Sequence, residues 1–199
     1  MRPDLDIIQR WIEPGSRVLD LGCGEGNLLD YLKREKQVLD TGLEINADNI
    51  EHCLQKGVHV IEQDLDKGLS NFETASFDTV LLTQTLQAVQ YPDIIIEEML
   101  RVGRNGIVTF PNFGHWRSRF YLARKGRMPV SEFMPYEWYN TPNIHFCTVR
   151  DFDSFCRERK IDILERTVVD IRHRDNWMIN LLPNLLGEIA IYHITRRGK

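Results

Sequence analysis

The run Val18-Leu19-Asp20-Leu21-Gly22-Cys23-Gly24-Glu25-Gly26 constrains this chain more than any other stretch. Branched apolar residues end in an acid, glycines crowd the turn that follows, and Asn27–Leu32 then reads as helix. Glycine leaves no side chain where strand turns into helix, so main chain can lie against a ligand. A second acid, Glu44, ends a second apolar stretch in Thr41-Gly42-Leu43-Glu44-Ile45-Asn46. A strand, tight loop and helix followed by that acid predict a site for a nucleoside-containing cofactor.

The remainder alternates. Leu5, Ile8, Trp11 and Ile12 suggest a short leading helix that ends at Pro14-Gly15. Arg17–Leu21 reads as a strand, Gly26–Arg34 as a helix, Gln37–Leu43 as a strand and Asn46–Gln55 as a helix. Val58–Glu62 and Phe77–Thr83 are further strands, Pro92–Val102 a helix, and Ile107–Phe110 a fifth strand. This alternation predicts an α/β fold with a mostly parallel sheet covered by helices on both faces. The rhythm breaks at Pro111. From there to about Cys147 prolines alternate with aromatics, among them Phe113, Trp116, Phe120, Tyr121, Phe133, Tyr136, Trp138, Tyr139 and Phe146. A linker would be polar, so this reads as an ordered excursion packed over one edge of the sheet. Val149–Arg159 resumes a helix, and Asp162–Ile171 and Glu188–Arg196 read as closing strands. Between them lies the apolar, proline-interrupted Trp177–Leu186.

The chain has 199 residues, which fits a single domain over 1–199. It is 42% hydrophobic, enough for a real core, and its formal charge is -4. That charge gives no global pull toward nucleic acid or an anionic membrane. No stretch approaches the roughly 18 apolar residues of a membrane helix, and the start carries no apolar secretion segment. A cytoplasmic protein is the simplest expectation. Cys23, Cys53, Cys147 and Cys156 form no CxxC pair, so a zinc or redox motif has no support from spacing and reduced, mostly buried thiols are expected.

The glycine spacing is GxGxG, whereas the dinucleotide fingerprint is GxGxxG. A P-loop is unsupported because no lysine followed by Ser or Thr closes the turn. Asp20 disfavours a phosphate and favours an ammonium group. Glu44 can accept from two ribose hydroxyls, and Asp64 could receive the exocyclic amine of adenine. Alone, Glu44 suits a solvated strand end and Asp64 an ordinary turn. Their succession after the loop describes S-adenosylmethionine better than a phosphorylated cofactor.

Over residues 15–110 the chain resembles class I S-adenosylmethionine-dependent methyltransferases, which have a Rossmann-like, seven-stranded sheet. Four further motifs narrow the likeness: Thr83–Ala88, Glu98–Arg104, Phe110-Pro111-Asn112-Phe113-Gly114-His115-Trp116-Arg117 and Trp138–His145. Together they resemble the methionine-biosynthesis protein W (MetW) family across nearly the whole chain. That resemblance implies a partner of homoserine O-acetyltransferase in methionine biosynthesis. It also implies that Asp20, Gly22, Cys23, Gly24, Gly26, Glu44, Ile45, Asp64, Leu65 and Gln84 line a site for S-adenosylmethionine or S-adenosylhomocysteine. Fold alone does not imply methyl transfer.

Groups that could assist such a transfer follow the fourth and fifth strands: Gln84, His115, Tyr121, Tyr136, Tyr139 and His145. His115 is the candidate base, since a histidine near its ordinary pKa of about 6.5 accepts a proton at neutral pH. The competing reading is a hydrogen-bonded histidine that fixes the excursion. No Asn-Pro-Pro-Tyr sequence follows the fourth strand, which with the negative charge argues against nucleic acid as substrate. Arg117, Arg119, Arg124, Lys125 and Arg127 form either a solvated face or a contact for an anion or partner. The excursion and Trp177–Leu186 are the two candidate partner surfaces. Two functions stay open: a cofactor-binding accessory protein, and an active methyltransferase on a small metabolite with the excursion as its lid.

Overall fold

The structure, a computed structural model, describes residues 7–131, 134–170, 179 and 181–198. Its centre is a seven-stranded sheet in the order β3-β2-β1-β4-β5-β7-β6. The strands are β1 (Arg17–Leu21), β2 (Leu39–Glu44), β3 (Val60–Glu62), β4 (Phe77–Thr83), β5 (Gly103–Pro111), β6 (Ile161–Val169) and β7 (Ile189–Arg196). The first five pair in parallel. β7 inserts antiparallel between β5 and β6. The helices are α1 (Asn27–Lys36), α2 (Ala47–Gln55), α3 (Pro92–Val102), α4 (Trp116–Lys125), α5 (Val149–Glu158) and the single turn α6 (Pro183–Leu186).

Alternation along each strand sends neighbours to opposite faces, and the core divides accordingly. Val18, Leu81 and Ile107 join Leu28, Leu29 and Leu32 of α1, Cys53 of α2, and Ile8 and Ile12. Leu19, Val80, Leu82, Val108 and Phe110 join Ile95, Ile96, Met99 and Leu100 of α3 and Phe152 and Cys156 of α5. Tyr192 of β7 closes the second core. Its ring centroid is 4.6 Å from that of Phe152 and its hydroxyl donates to Asp153 at 2.8 Å. Helix starts follow local chemistry. Asn46 caps α2 by accepting from Asp48 and Asn49 N–H groups, and Thr148 and Asp151 form a reciprocal capping box at α5. Pro92 opens α3.

Several boundaries depart from the sequence reading. β5 runs from Gly103, not Ile107, because Gly103-Arg104-Asn105-Gly106 has little strand propensity of its own. The pairing of Phe77 with Gly103, and Asn105 Nδ2 donating to Asp78 O at 2.9 Å, hold it in the sheet. Gly106 lets the Met99 side chain pack close, since an added Cβ would come within 2.8 Å of its terminal methyl. β3 begins at Val60 because Val58 is spent in the turn, where it packs near Gly26. β6 ends at Val169. Ile171 lies outside the described residues, as do Leu5, Phe133, Trp177, Met178 and Asn180.

The excursion packs only in part as expected: Asn112, His115, Ser118 and Met134 are buried, while much of its aromatic content is not. α4 buries only Ser118, and Trp138 and Tyr139 are 74% and 71% exposed. Phe120, Trp116, Tyr136 and Phe146 are exposed as well. Of the second apolar stretch, Ile179 is buried while Leu181 and Leu182 face solvent. All four cysteines are free thiols. Among the described residues no helix is long and apolar enough to cross a membrane, and no cluster of His, Cys, Asp or Glu could hold a metal ion.

Candidate functional site

The sheet turns outward in two directions from its middle: β1 leads to β2 and β3 on one side, and β4 and β5 lie on the other. Ligands of open α/β sheets bind at the carboxyl ends of strands where the order reverses in this way. The glycine loop sits at that point. The N–H groups of Gly22 and Cys23 donate to Leu43 O at 2.8 and 3.0 Å, which ties the loop to β2. Gly22, at φ +75°, faces Thr85, which an added Cβ would approach within 2.8 Å. Gly26, at φ +73°, faces Cys53 Sγ at the same distance. Gly24 differs. Its φ is +55° and a Cβ there would meet nothing within 4 Å. Two glycines thus serve packing, and the third leaves open space above bare main chain.

The acids surround this loop. Asp20 is 1% exposed. Burial, with the Asp20 charge close by, drives the Cys23 thiol far up from its ordinary range. Glu44 binds the loop itself. Its Oε2 accepts from Gly24 N–H at 2.8 Å, and its Oε1 accepts from Ile45 and Asn46 N–H groups, each at 2.9 Å. A carboxylate has about four lone-pair sites, so Glu44 keeps capacity for one more donor where the sequence suggested two. Ile45 beside it is 61% exposed, an apolar platform facing outward. Asp64 caps a short 3-10 turn by accepting from Asp66 N–H at 3.0 Å, and Leu65 packs partly into the core. Gln84 follows β4 with φ +55°, an unfavourable conformation for a residue with a Cβ. Its N–H donates to both Thr109 O and Thr109 Oγ1 at 3.0 Å. Direct hydrogen bonds therefore link Gly26 to Cys23 and Gly24 to Glu44, Gly22 and Cys23 share Leu43 O, and the Asp20 charge acts on the Cys23 thiol. Ile45, Asp64, Leu65 and Gln84 stand at neighbouring strand ends of the same edge.

His115 lies further along that edge. Asn112, which is 2% exposed, staples the region. Its Nδ2 donates to Gly187 O at 2.7 Å, and its Oδ1 accepts from Gly114 and Val149 N–H groups at 3.0 and 3.3 Å. Gly114 is obligatory, because a Cβ would press on Asn184 Oδ1 at 2.7 Å. The motif Pro111–Arg117 is thus a device that seats His115 at the start of α4. His115 is 7% exposed, and its ring makes no hydrogen bond among the described residues. Burial, then the Arg117 charge, pushes its pKa down to about 4, despite Glu188 Oε1 at 3.8 Å from Nε2. The imidazole is neutral at pH 7 and a weak base there. The hydrogen-bonded histidine expected as the alternative is not what is observed. His145 is peripheral, with Nε2 3.3 Å from Gln90 O. Tyr136 and Tyr139 face solvent, and Tyr121 lines a cavity together with His115, Ser118 and Glu188. Sequence reasoning passed over Glu188, Ser118 and Cys53. Glu188 enters because β7 runs antiparallel beside β5, a placement that no local spacing encodes. Cys53, 3.9 Å from Cys23, is brought under the loop by α2.

The comparisons fit this geometry. A family model described as methionine biosynthesis protein MetW matches residues 2–194. A bifunctional methionine biosynthesis protein MetXA/MetW of Rhodopirellula baltica is 34% identical over 98% of this chain, which covers 33% of that protein. A ubiquinone biosynthesis O-methyltransferase of Paracidovorax citrulli is 27% identical over 76% of this chain, and the match covers 65% of that enzyme. The chain thus spans from a third to just under two thirds of these relatives' lengths. An S-adenosylmethionine-dependent methyltransferase structure from Mesorhizobium loti superposes with a TM-score of 0.70 at 16% identity, over 98% of this chain and 96% of that one. One from Archaeoglobus fulgidus gives 0.67 at 14%, over 97% and 91%. The fold is that of the class I methyltransferases, and the chain belongs to the methionine biosynthesis protein MetW family.

Proposed function

We propose that this chain binds S-adenosylmethionine or S-adenosylhomocysteine at the carboxyl edge of the sheet and acts as a partner of homoserine O-acetyltransferase in methionine biosynthesis. The observation that carries the partnership is covalent. In the Rhodopirellula relative a MetW-like segment forms part of one polypeptide named for both MetXA and MetW. Joining two chains fixes their effective concentration, which benefits proteins that work in contact. The exposed aromatics and arginines of α4 supply residue types that dominate binding hot spots.

The residues fit the cofactor. Open space over Gly24 lets main chain meet the adenosyl group, and Glu44 retains a lone pair for one ribose hydroxyl. Ile45 offers the adenine ring an apolar face, Asp64 is placed to accept from its amine, and Asp20 lends negative potential under the sulfonium end. When bound, S-adenosylmethionine supplies an electrophilic methyl group. His115, the candidate base for its transfer, is weakly basic, because burial and the Arg117 charge lower its pKa. Since the cofactor is made from methionine, its binding would report methionine supply to the acetyltransferase.

A second reading, an active methyltransferase on a small metabolite, draws on the O-methyltransferase relatives and on the cavity beside His115. Co-purification separates the two. The accessory reading expects a stable complex with the homoserine O-acetyltransferase of the same organism and an altered acetyl-transfer rate. An unaltered rate with no complex, together with methyl transfer to a metabolite, would establish the alternative.

A further inference from the structure

Behind α4 lies a cavity of about 320 Å³, with His115, Ser118 and Tyr121 on the helix side and Pro129, Val130 and Met134 among its other walls. Ser118 is the one residue of the helix that is buried. A ten-residue helix is marginal on its own and takes its stability from packing. α4 has little of that and is held at its ends instead. Arg119 Nε donates to Gly114 O at 2.5 Å, and Gly126, left-handed at φ +62°, donates its N–H to Leu122 O at 2.8 Å. The free face is patterned. At about 100° per residue, Trp116, Phe120 and Ala123 fall within about 60° of one another, on the side opposite Ser118. Trp116 and Phe120 are 46% and 61% exposed. Arg119 borders this stripe on one side, and Arg117 and Arg124 border it on the other. From Pro111 to Ser131 the chain places five of its 25 Lys and Arg and none of its 29 Asp and Glu. Arg117 lies 3.8 Å from Glu188. Arg124, Lys125 and Arg127 are exposed and make no ion pair or hydrogen bond among the described residues.

Apolar residues at i, i+4 and i+7 between basic flanks match the way one helix enters a groove on another protein. Trp and Arg are enriched among the residues that dominate such contacts. An extended polyanion fits less well. Every acid of the chain lies outside this segment, so a nucleic acid or anionic bilayer reaching past the helix's length of about 15 Å would meet negative charge. We propose that α4 docks as a helix in a groove of the acetyltransferase. The stripe of Trp116, Phe120 and Ala123 enters an apolar floor, and carboxylates on the rim meet Arg119 on one side and Arg124 on the other. That contact presupposes the partnership proposed above and adds its mode and its charge. Opposite charges speed encounter and set orientation, while the apolar stripe sets how long the complex lasts.

Surface plasmon resonance tests this, with the same organism's homoserine O-acetyltransferase immobilised and the full chain as analyte. Raising NaCl from about 50 to about 500 mM should slow association at least about tenfold. The double variant Arg124→Glu, Lys125→Glu, at exposed positions, should slow association by a similar factor and leave the melting temperature and S-adenosylmethionine affinity unchanged. Phe120→Ala should instead speed dissociation at least about tenfold, with association nearly unchanged. A wild-type complex whose association ignores both salt and the double variant overturns the docking mode and leaves the partnership standing. Absence of a wild-type complex overturns both. Vesicles of phosphatidylglycerol run in parallel, and retention of wild type but not of the double variant on them, without acetyltransferase binding, would assign the face to an anionic lipid surface instead.

Discussion

A side chain at position 24 would occupy the open space above the loop and force a residue with a Cβ into φ +55°. Gly24→Val is therefore expected to lower S-adenosylmethionine affinity at least about a hundredfold, by steric exclusion, with a fold penalty of about 1–3 kcal/mol from backbone strain. Calorimetry and urea unfolding measure the two effects. Glu44→Ala removes one ribose contact and releases the Gly24 N–H, so a loss of about 1.5–3 kcal/mol of binding free energy is expected, and an unchanged dissociation constant would contradict the ribose assignment. His115 gives a pH signature. The unfolded histidine takes up a proton near 6.5, while the buried one resists protonation down to about 4. Acid thus favours the unfolded chain, and stability falls as pH drops through that window by up to about 3 kcal/mol. His115→Gln should flatten that slope in urea midpoints measured from pH 7 to pH 4. The glycines were legible at this scale because the loop takes φ values that favour them. The extra backbone bonds of Glu44 were not, since they depend on how the loop folds back over β2.

At the scale of elements, α4 is the unusual piece. A helix that buries one serine and exposes Trp116, Phe120 and Leu122 gains little by packing on its own sheet. Phe120→Asp should therefore leave the melting temperature nearly unchanged and abolish co-purification with the acetyltransferase. Retention of the complex would move the interface elsewhere. The excursion's aromatics marked an ordered segment, yet hydrophobicity could not say whether that order came from this chain's core or from a partner. β5 teaches the converse. Its first four residues carry no strand signal, and pairing with β4 overrides their propensity. β4 and α3, with apolar positions in clear register and Pro92 to start the helix, were readable to the residue.

For the whole molecule, the alternation of strands and helices announced the parallel part of the sheet, and the reversal between β1 and β4 puts the loop, Glu44 and Gln84 on one edge. The insertion of β7 between β5 and β6 was not announced, because antiparallel return over long separations leaves no periodic trace. That insertion builds the cavity around Glu188, so what lay hidden in the sequence is also what distinguishes this edge from a bare cofactor cradle. The account as a whole is tested most directly by assaying homoserine acetyl transfer by the same organism's O-acetyltransferase, with and without an equimolar amount of this protein and with S-adenosylmethionine varied. A stable complex whose rate differs from that of the enzyme alone, and responds to S-adenosylmethionine only while Gly24 and Glu44 are intact, is the expected result. An acetyltransferase that neither binds this chain nor changes rate in its presence would contradict it.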